Sequence, residues 1–361
     1  MNVPTLEDVA GAAGVSTATV SRCLNEPARV ASATRSRILS AVDRLGYSPN
    51  FGARALATRR SEIVGAVIPT MANAIFARGL QAFEETLGEQ GLTLLVATSG
   101  YEPDVEEARI RALVARGARG LLLVGQQRRA SVYRFLEQHG IAVVIAWSHS
   151  AQSRRSCVGF ENAAAMRALT ERGIALGHRR LACICAPRGP NDRARERVRG
   201  MLEAADAAGL DSAAIPIVES PYDIDAAGQA FEQLMQHLPR PTLVLCGNDV
   251  QAVGAMARAR RLEMRVPDDV SITGFDDLEI ADVVVPGLTT VRVPHREMGR
   301  QAARTLAMHL ADEQRTLPAQ RISLDADTVM RGSLAPPQAT PEAPPGATPE
   351  ATPEAIPGAS A

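Results

Sequence analysis

The chain contains no lysine: all 39 basic residues are arginines. A Walker-type phosphate loop needs a lysine on the phosphates, and Schiff-base or pyridoxal-phosphate chemistry needs a lysine amine, so both enzyme classes are excluded. The five cysteines, Cys23, Cys157, Cys183, Cys185 and Cys246, include no CxxC pair. An odd count in a 361-residue chain reads as reduced, buried thiols rather than a disulfide framework or zinc site. No apolar run reaches the roughly 18 residues of a membrane span. Residues 1–10 lack the basic flank and apolar core of a signal peptide, so a cytoplasmic protein with no membrane partner is expected. GxSxG, HExxH and GxGxxG are absent, and the six histidines are scattered, so neither enzyme activity nor a cofactor is expected. Charge of one sign is missing too: 39 basic against 40 acidic residues leave −1, which taken alone argues against a nucleic-acid partner.

That sum conceals a division. Residues 1–60 carry eight arginines and four acids, a net of +4, and the whole-chain −1 then leaves −5 on the remainder. A small basic head before a larger acidic body is the electrostatic footprint of a DNA-binding module.

The head has a matching pattern. Thr5-Leu6-Glu7-Asp8 has the form of a capping box opening a short helix, with Leu6, Val9 and Ala10 apolar at helical spacing and Gly11 and Gly14 ending it. Ser16 caps a second helix over 17–24, whose Val20 and Leu24 face a core. A third starts at a Ser32 cap, carries Ile38, Ala41, Val42 and Leu45 at helical spacing, and stops at Gly46. Two short helices around a tight turn with a supporting third are helix-turn-helix organisation. The second helix presents Thr17, Ala18, Ser21 and Arg22, small or polar groups suited to base edges in the major groove.

The run Thr5-Leu6-Glu7-Asp8-Val9-Ala10, Ala13-Gly14-Val15-Ser16, Thr19-Val20-Ser21-Arg22 and Leu24-Asn25 resembles the LacI/GalR family of bacterial transcription regulators. It stays in register through Val30, Thr34-Arg35, Leu45-Gly46-Tyr47, Pro49-Asn50, Ala53-Arg54 and Leu56. The resemblance implies that Thr17, Ala18 and Arg22 touch bases, and that Ser16, Thr19, Ser21 and Asn25 hold phosphates, with Thr5 and Leu6 also at the DNA. It further implies a hinge over 50–60, with Asn50 at its start and Ala53 and Leu56 on one face. The hinge is too short to be helical alone and folds when two copies meet on an operator, where Leu56 wedges into the minor groove.

From Ile63 onward, apolar runs alternate with amphipathic stretches. Strands are expected at 63–69, 92–97, 120–124, 142–145, 181–186, 215–219, 242–246 and 270–275. Helices are expected at 76–90, 105–116, 132–139, 163–172, 193–208, 226–236, 249–261 and 296–309. Such alternation argues for parallel sheets flanked by helices. Two units with a crossover near 289–293 resemble the periplasmic-binding-protein fold, which the family uses to sense a small molecule between two lobes. The expected fold is therefore a small all-α head on an α/β two-lobed body. Its organisation is 1–49 head, 50–60 hinge and 61–332 body, followed by a disordered tail over 333–361, where Ala-Thr-Pro-Glu-Ala repeats. The first lobe is expected to take about 61–160 plus 293–320, and the second about 161–292 plus 321–332.

Effector residues follow from motif matches. Arg197, in Arg197-Val198-Arg199-Gly200, is the expected anchor, with Arg193 beside it. Asn248 and Asp276, at two strand-to-helix turns, would meet ligand hydroxyls, and Asp249 would cap its helix. Ile75 and Phe76 would supply apolar contacts. Trp147 could stack on a sugar face or sit in the core. His178, before a strand, reads as structural. Arg188, Arg193, Arg195, Arg197 and Arg199 crowd one connection, which favours an acidic effector if they face the cleft and means little if they are solvated. Short stretches at 69–73, 100–103 and 158–162 resemble the gluconate-utilisation repressor branch, which implies a sugar acid; neutral sugars and nucleobases remain rivals. The branch of that family that tetramerises carries a C-terminal leucine heptad, which is not seen here, so the resemblance implies a homodimer on a palindromic double-stranded operator.

Overall fold

The computed structural model describes residues 4–48, 61–72, 74–312, 314 and 316–338. The expected hinge residues Asn50, Ala53 and Leu56, and the repeats of the tail, lie outside the described residues.

The head consists of α1 (Leu6–Ala13), α2 (Thr17–Asn25) and α3 (Ser32–Leu45). The capping box is formed: the Asp8 amide donates to Thr5 Oγ1 at 3.3 Å, and the Thr5 amide to Asp8 Oδ2 at 2.7 Å. Gly14 takes the left-handed conformation, φ 62°, that lets the chain turn into α2. Ser16 caps α2 through the Thr19 amide. Two expectations are corrected. Gly11 lies inside α1 rather than ending it. α3 begins on Ala31 without a side-chain cap, Ser32 being its first residue rather than its cap. Val9, Ala13, Val20, Cys23 and Ile38 close a small core between the three helices.

The body holds two parallel sheets. In the first lobe β1 (Ile63–Ile68), β2 (Thr93–Thr98), β3 (Gly120–Val124), β4 (Ala142–Ala146), β5 (Ser156–Gly159) and β11 (Arg321–Ser323) lie in the order β11-β5-β4-β3-β1-β2. α4 (Ala77–Gly88), α5 (Pro103–Ala115) and α6 (Ala130–Gln138) make its crossovers. In the second lobe β6 (Leu181–Cys185), β7 (Ile217–Glu219), β8 (Leu243–Cys246) and β9 (Ser271–Thr273) lie in the order β7-β6-β8-β9. α7 (Asn162–Ala175), α8 (Asp192–Ala207), α9 (Ile224–Met235), α10 (Asp249–Arg261) and the short α11 (Glu279–Val283) surround that sheet. The central strands are apolar on both faces because helices cover both, as in IVGAVI and GLLLV. The expected crossover at 289–293 is β10 (Thr290–Arg292), after which α12 (His295–Ala311) returns to the first lobe.

Two boundaries move. Arg321–Ser323 was assigned to the second lobe, but it pairs with Cys157, Val158 and Gly159 as the edge of the first sheet. Only β12 (Asp327–Val329) pairs with β10. A three-residue edge strand with one apolar side chain leaves no periodic signal. The expected tail boundary at 333 also falls too early. Ser333 is fully buried and accepts from the Ile272 amide at 3.0 Å, while His178 bonds Ala335 O at 2.9 Å and Thr242 Oγ1 at 3.0 Å. Residues 333–335 therefore dress the β9 edge, and His178 ties them down.

α4 and α12 cross at two glycines. A β-carbon on Gly299 would stand 2.0 Å from Gly79 O. Gly299→Ala must push the helices apart, and overpacking of this kind costs about 1–3 kcal/mol or more. The expected result is a thermal midpoint lower by roughly 5 °C in calorimetry; an unchanged midpoint would refute the crossing as a tight contact.

Candidate DNA interface and effector cleft

α2 is amphipathic because its period alternates two tasks. Val20 and Cys23 are buried, while Ser16, Thr17, Ala18 and Arg22 are exposed and Thr19 and Ser21 half-buried. The Ser16 hydroxyl also meets Thr19 Oγ1 at 2.9 Å, which fixes the first turn of the exposed face. Thr5 is exposed and Leu6 half-buried at the start of α1. Asn25 is the last residue of α2. The expected base-facing side chains thus share one solvent-facing surface.

The second site lies where the strands of both lobes end. Arg197, on the first turns of α8, is nearly buried and ties four elements together. Its Nε donates to Asn162 Oδ1 at 2.9 Å and its Nη1 to Gly247 O at 2.5 Å. Its Nη2 lies 3.5 Å from Asp276 Oδ1, and its guanidinium lies over the Phe275 ring at 3.7 Å. Asp276 follows β9 with φ 104°, in the left-handed region, and its carboxyl lies beside Arg197. Burial pushes its pKa up to about 6, against the pull of Arg197 and Arg193.

Asn248, not Asp249, caps α10: the Gln251 amide donates to Asn248 Oδ1 at 2.9 Å. Asp249 is instead an interior tie, accepting from Thr290 Oγ1 and from the Leu278 amide, each at 2.6 Å. Burial, then the charge of Asp276, raises its pKa to about 8. Several polar atoms around Arg197 are buried without a hydrogen-bond partner: both Asp276 carboxylate oxygens, Asn248 Nδ2 and His295 Nε2. Buried polar atoms are ordinarily satisfied, so acceptors and donors left open together make this a candidate binding site.

Trp147 is a core residue with φ 59°, its indole N–H donated to His295 Nδ1 at 3.2 Å and its ring edge-on to Phe76 at 5.1 Å. Asn162 Nδ2 donates to Trp147 O at 3.1 Å, so Asn162 links the tryptophan to Arg197. Ile75 and Phe76 are buried in the same wall. Burial lowers the pKa of His295 to about 4, so it is neutral near pH 7. Of the five crowded arginines only Arg193 and Arg197 are buried. Arg188 pairs with Glu219, Arg195 donates to Gln127 Oε1, and Arg199 pairs with Glu196 and Glu203.

Arg193 belongs to a clasp between the lobes. Its Nη1 donates to Asp192 Oδ1 at 2.9 Å, while Asp192 Oδ2 accepts from the Gln126 and Gln127 amides of the first lobe at 2.5 and 3.2 Å. Gly125 makes this approach possible: its φ is 77°, and a β-carbon there would lie 2.1 Å from Arg193 Nη1. Motif matching missed Asp192, and it missed the tyrosine pair Tyr101 and Tyr222, whose rings stand 5.9 Å apart beside Arg193 and Arg197. Tyr101 follows Gly100 with φ 64°, so the Gly-Tyr turn was its only local signal.

Residues 5–50 match the family described as bacterial regulatory proteins, lacI family, and 170–334 match the periplasmic binding protein-like domain. The chain is 36% identical to an HTH-type transcriptional regulator GntR from Pseudomonas aeruginosa, over 86% of this chain and 90% of that one. A LacI-family regulator from Silicibacter pomeroyi superposes with a TM-score of 0.82 at 26% identity, covering 92% of this chain and 99% of that one. The lac repressor dimer bound to operator and an anti-inducer superposes with a TM-score of 0.79 at 25% identity, covering 92% and 100%.

Proposed function

This chain belongs to the LacI family of bacterial regulatory proteins, DNA-binding transcriptional regulators with an effector-binding body, and on that premise we propose a cytoplasmic repressor that binds a palindromic operator as a homodimer and answers to a sugar acid such as gluconate. The observation that carries the effector reading is the open polar set around Arg197. Two carboxylate oxygens of Asp276 await hydroxyl donors, Asn248 Nδ2 awaits an acceptor, and Arg197 supplies positive charge for a carboxylate, while Arg193 is held by Asp192 at the edge of the site. Closing the cleft on such a ligand moves one lobe against the other, and the hinge over 50–60, with Leu56 as its wedge, passes the change to the heads.

Dimerisation is supported by surface that water does not favour. β2 is an edge strand of apolar sequence with Val96 exposed, and Val283 and Val285 are 74% and 93% exposed on the second lobe. An apolar edge left open invites pairing with another chain. The direct test is fluorescence anisotropy with a palindromic duplex, titrated with gluconate, glucose and hypoxanthine. Release or tightening by gluconate alone supports the reading; no response to gluconate would overturn the sugar-acid assignment.

Arg22 is the expected base reader of α2. Loss of one good base contact costs about 1–3 kcal/mol, so Arg22→Ala is expected to weaken operator binding roughly 10- to 100-fold. Binding to random duplex should change far less. Equal losses on both duplexes would make Arg22 a phosphate contact.

The pH dependence of effector binding has a definite sign. Hydroxyls donate to the ionised form of Asp276, whose pKa stands near 6 in the free protein. Affinity for gluconate should therefore rise from pH 5 to 7, with proton release, and level off above it. His295, near 4, is silent across that window. Calorimetry in buffers of different ionisation heat measures the proton count, and Asp276→Asn should flatten the profile. Affinity falling over the same range would contradict the role of Asp276.

A further inference from the structure

Beside the Arg197 site lies a second chamber of about 620 Å³ at the strand ends of the first lobe. Its walls include Tyr101, Val124, Gln127, Arg128 and Val132 from the first lobe, and Arg193 closes it from the second. Arg197, Asn248 and Asp276 are not among its walls. A ligand held only by those three anchors leaves the chamber unfilled. At about 30 Å³ per water the space equals roughly 20 waters, while a six-carbon sugar acid has only about 13 heavy atoms, some of them spent on the Arg197 anchors.

The chemistry of the chamber differs from that of the inner site. Its guanidinium groups are already met by carboxylates: Arg128 by Glu106 at 2.8 Å, Arg129 by Asp104 at 2.5 Å and Arg193 by Asp192 at 2.9 Å. A second anionic group would have to break one of these pairs, so the chamber suits a neutral guest. Arg128 is 1% exposed, and its Nε, a donor suited to a hydroxyl oxygen, is buried without a partner. Tyr101 lines the chamber and stands beside Tyr222, whose hydroxyl accepts from Asn191 on the side of α8. Stacking of a sugar ring on an aromatic face, over apolar Val124 and Val132, completes a carbohydrate subsite.

We infer that the effector is longer than one sugar unit: an aldonic acid carrying a neutral glycosyl ring, with the polyol acid at Arg197 and Asp276 and the ring in the Tyr101–Val132 chamber. This rests on the reading of the Arg197 site as the effector cleft.

The test is calorimetric titration of the full-length protein with gluconate, cellobionate, lactobionate and cellobiose. At least one aldobionate is expected to bind about tenfold or more tightly than gluconate, the gain of one stacked and hydrogen-bonded ring. Val132→Phe, which fills the chamber, should erase that advantage while gluconate affinity holds. Should that variant fail to fold, Tyr101→Gly serves in its place, since φ 64° favours glycine there; the ratio of aldobionate to gluconate affinity is then the readout, and it should fall towards one. Gluconate binding as tightly as every aldobionate, or a ratio untouched by both substitutions, overturns the inference while leaving the sugar-acid reading intact. Cellobiose binding without any acid retains the chamber and removes the acid. Binding of none of the four removes both.

Discussion

Replacement of Arg197 by leucine is expected to lower gluconate affinity roughly 100-fold or more and to destabilise the body by about 3–5 kcal/mol. The two effects share one cause. The guanidinium is the cation that pairs with Asp276, which is 1% exposed and whose carboxylate oxygens have no hydrogen-bond partner. Without it a carboxyl is left buried and uncompensated, and Asn162 Oδ1 and Gly247 O lose their donors. Arg197→Lys should recover little, because a point charge cannot span three acceptors and lie flat on Phe275 together. The double variant Arg197→Leu/Asp276→Leu separates the effects. It should regain much of the stability, since removing both charges removes the uncompensated one, and none of the binding. Calorimetric melting and titration measure both. Wild-type gluconate affinity in Arg197→Leu would remove Arg197 from the effector site, and full stability would remove it from the buried network.

Gly125→Ala is expected to act on closure instead of on contacts with the ligand. The added β-carbon would stand 2.1 Å from Arg193 Nη1 and 2.4 Å from Asp192 Oδ1, and it must also adopt φ 77°. Both neighbours are side-chain ends, but Asp192 is held by the Gln126 and Gln127 amides and Arg193 by Asp192, so they can move aside only by giving up those bonds. The clasp is lost. Gluconate affinity is expected to fall roughly 10- to 100-fold, the cost of two charge-assisted hydrogen bonds together with backbone strain. Operator binding should lose its response to gluconate. The chain has a single tryptophan, Trp147, buried in the wall of the cleft, so its emission should change on gluconate addition in the parent protein and stay flat in Gly125→Ala. A variant that still closes, by emission and by small-angle scattering, would show that the clasp is incidental.

How far the sequence alone reached depends on whether a residue's role is local. Thr5, Ser16 and Gly14 act on the backbone within four positions of themselves, so the helix-turn-helix head was legible down to its capping box. α10 and β3 were placed to the residue, because a long periodic segment and an apolar run are also local patterns. Failures fell where the partner is distant. Arg321–Ser323 has one apolar side chain and becomes a strand only because Cys157–Gly159 offers an open edge. Ser333–Ala335 looked like the start of a polar tail and is instead held by β9 and His178. Asp249 had the right position for a cap, yet Asn248 one residue earlier took that role, freeing Asp249 to hold Thr290 and Leu278.

The effector site divides in the same way. Arg197, Asn248 and Asp276 sit in short stretches that match family motifs, and those matches named them as candidates. Which of the five neighbouring arginines point inward could not be read from spacing. That was decided by Glu219, Glu196, Glu203 and Gln127, which draw the outer ones to the surface. Asp192, Gly125 and Tyr101 carry no functional motif; they matter because two lobes, built from segments far apart in the chain, bring them together. Sequence by itself determined the composition of this protein: an all-arginine, basic reading head on an acidic α/β body, with neither the lysine chemistry nor the motifs of an enzyme. Only the tertiary structure decided the cleft, which carboxylates lie buried beside which cation and where two lobes clasp. Burial and long-range pairing are properties of the packed chain, and no stretch of residues contains them alone.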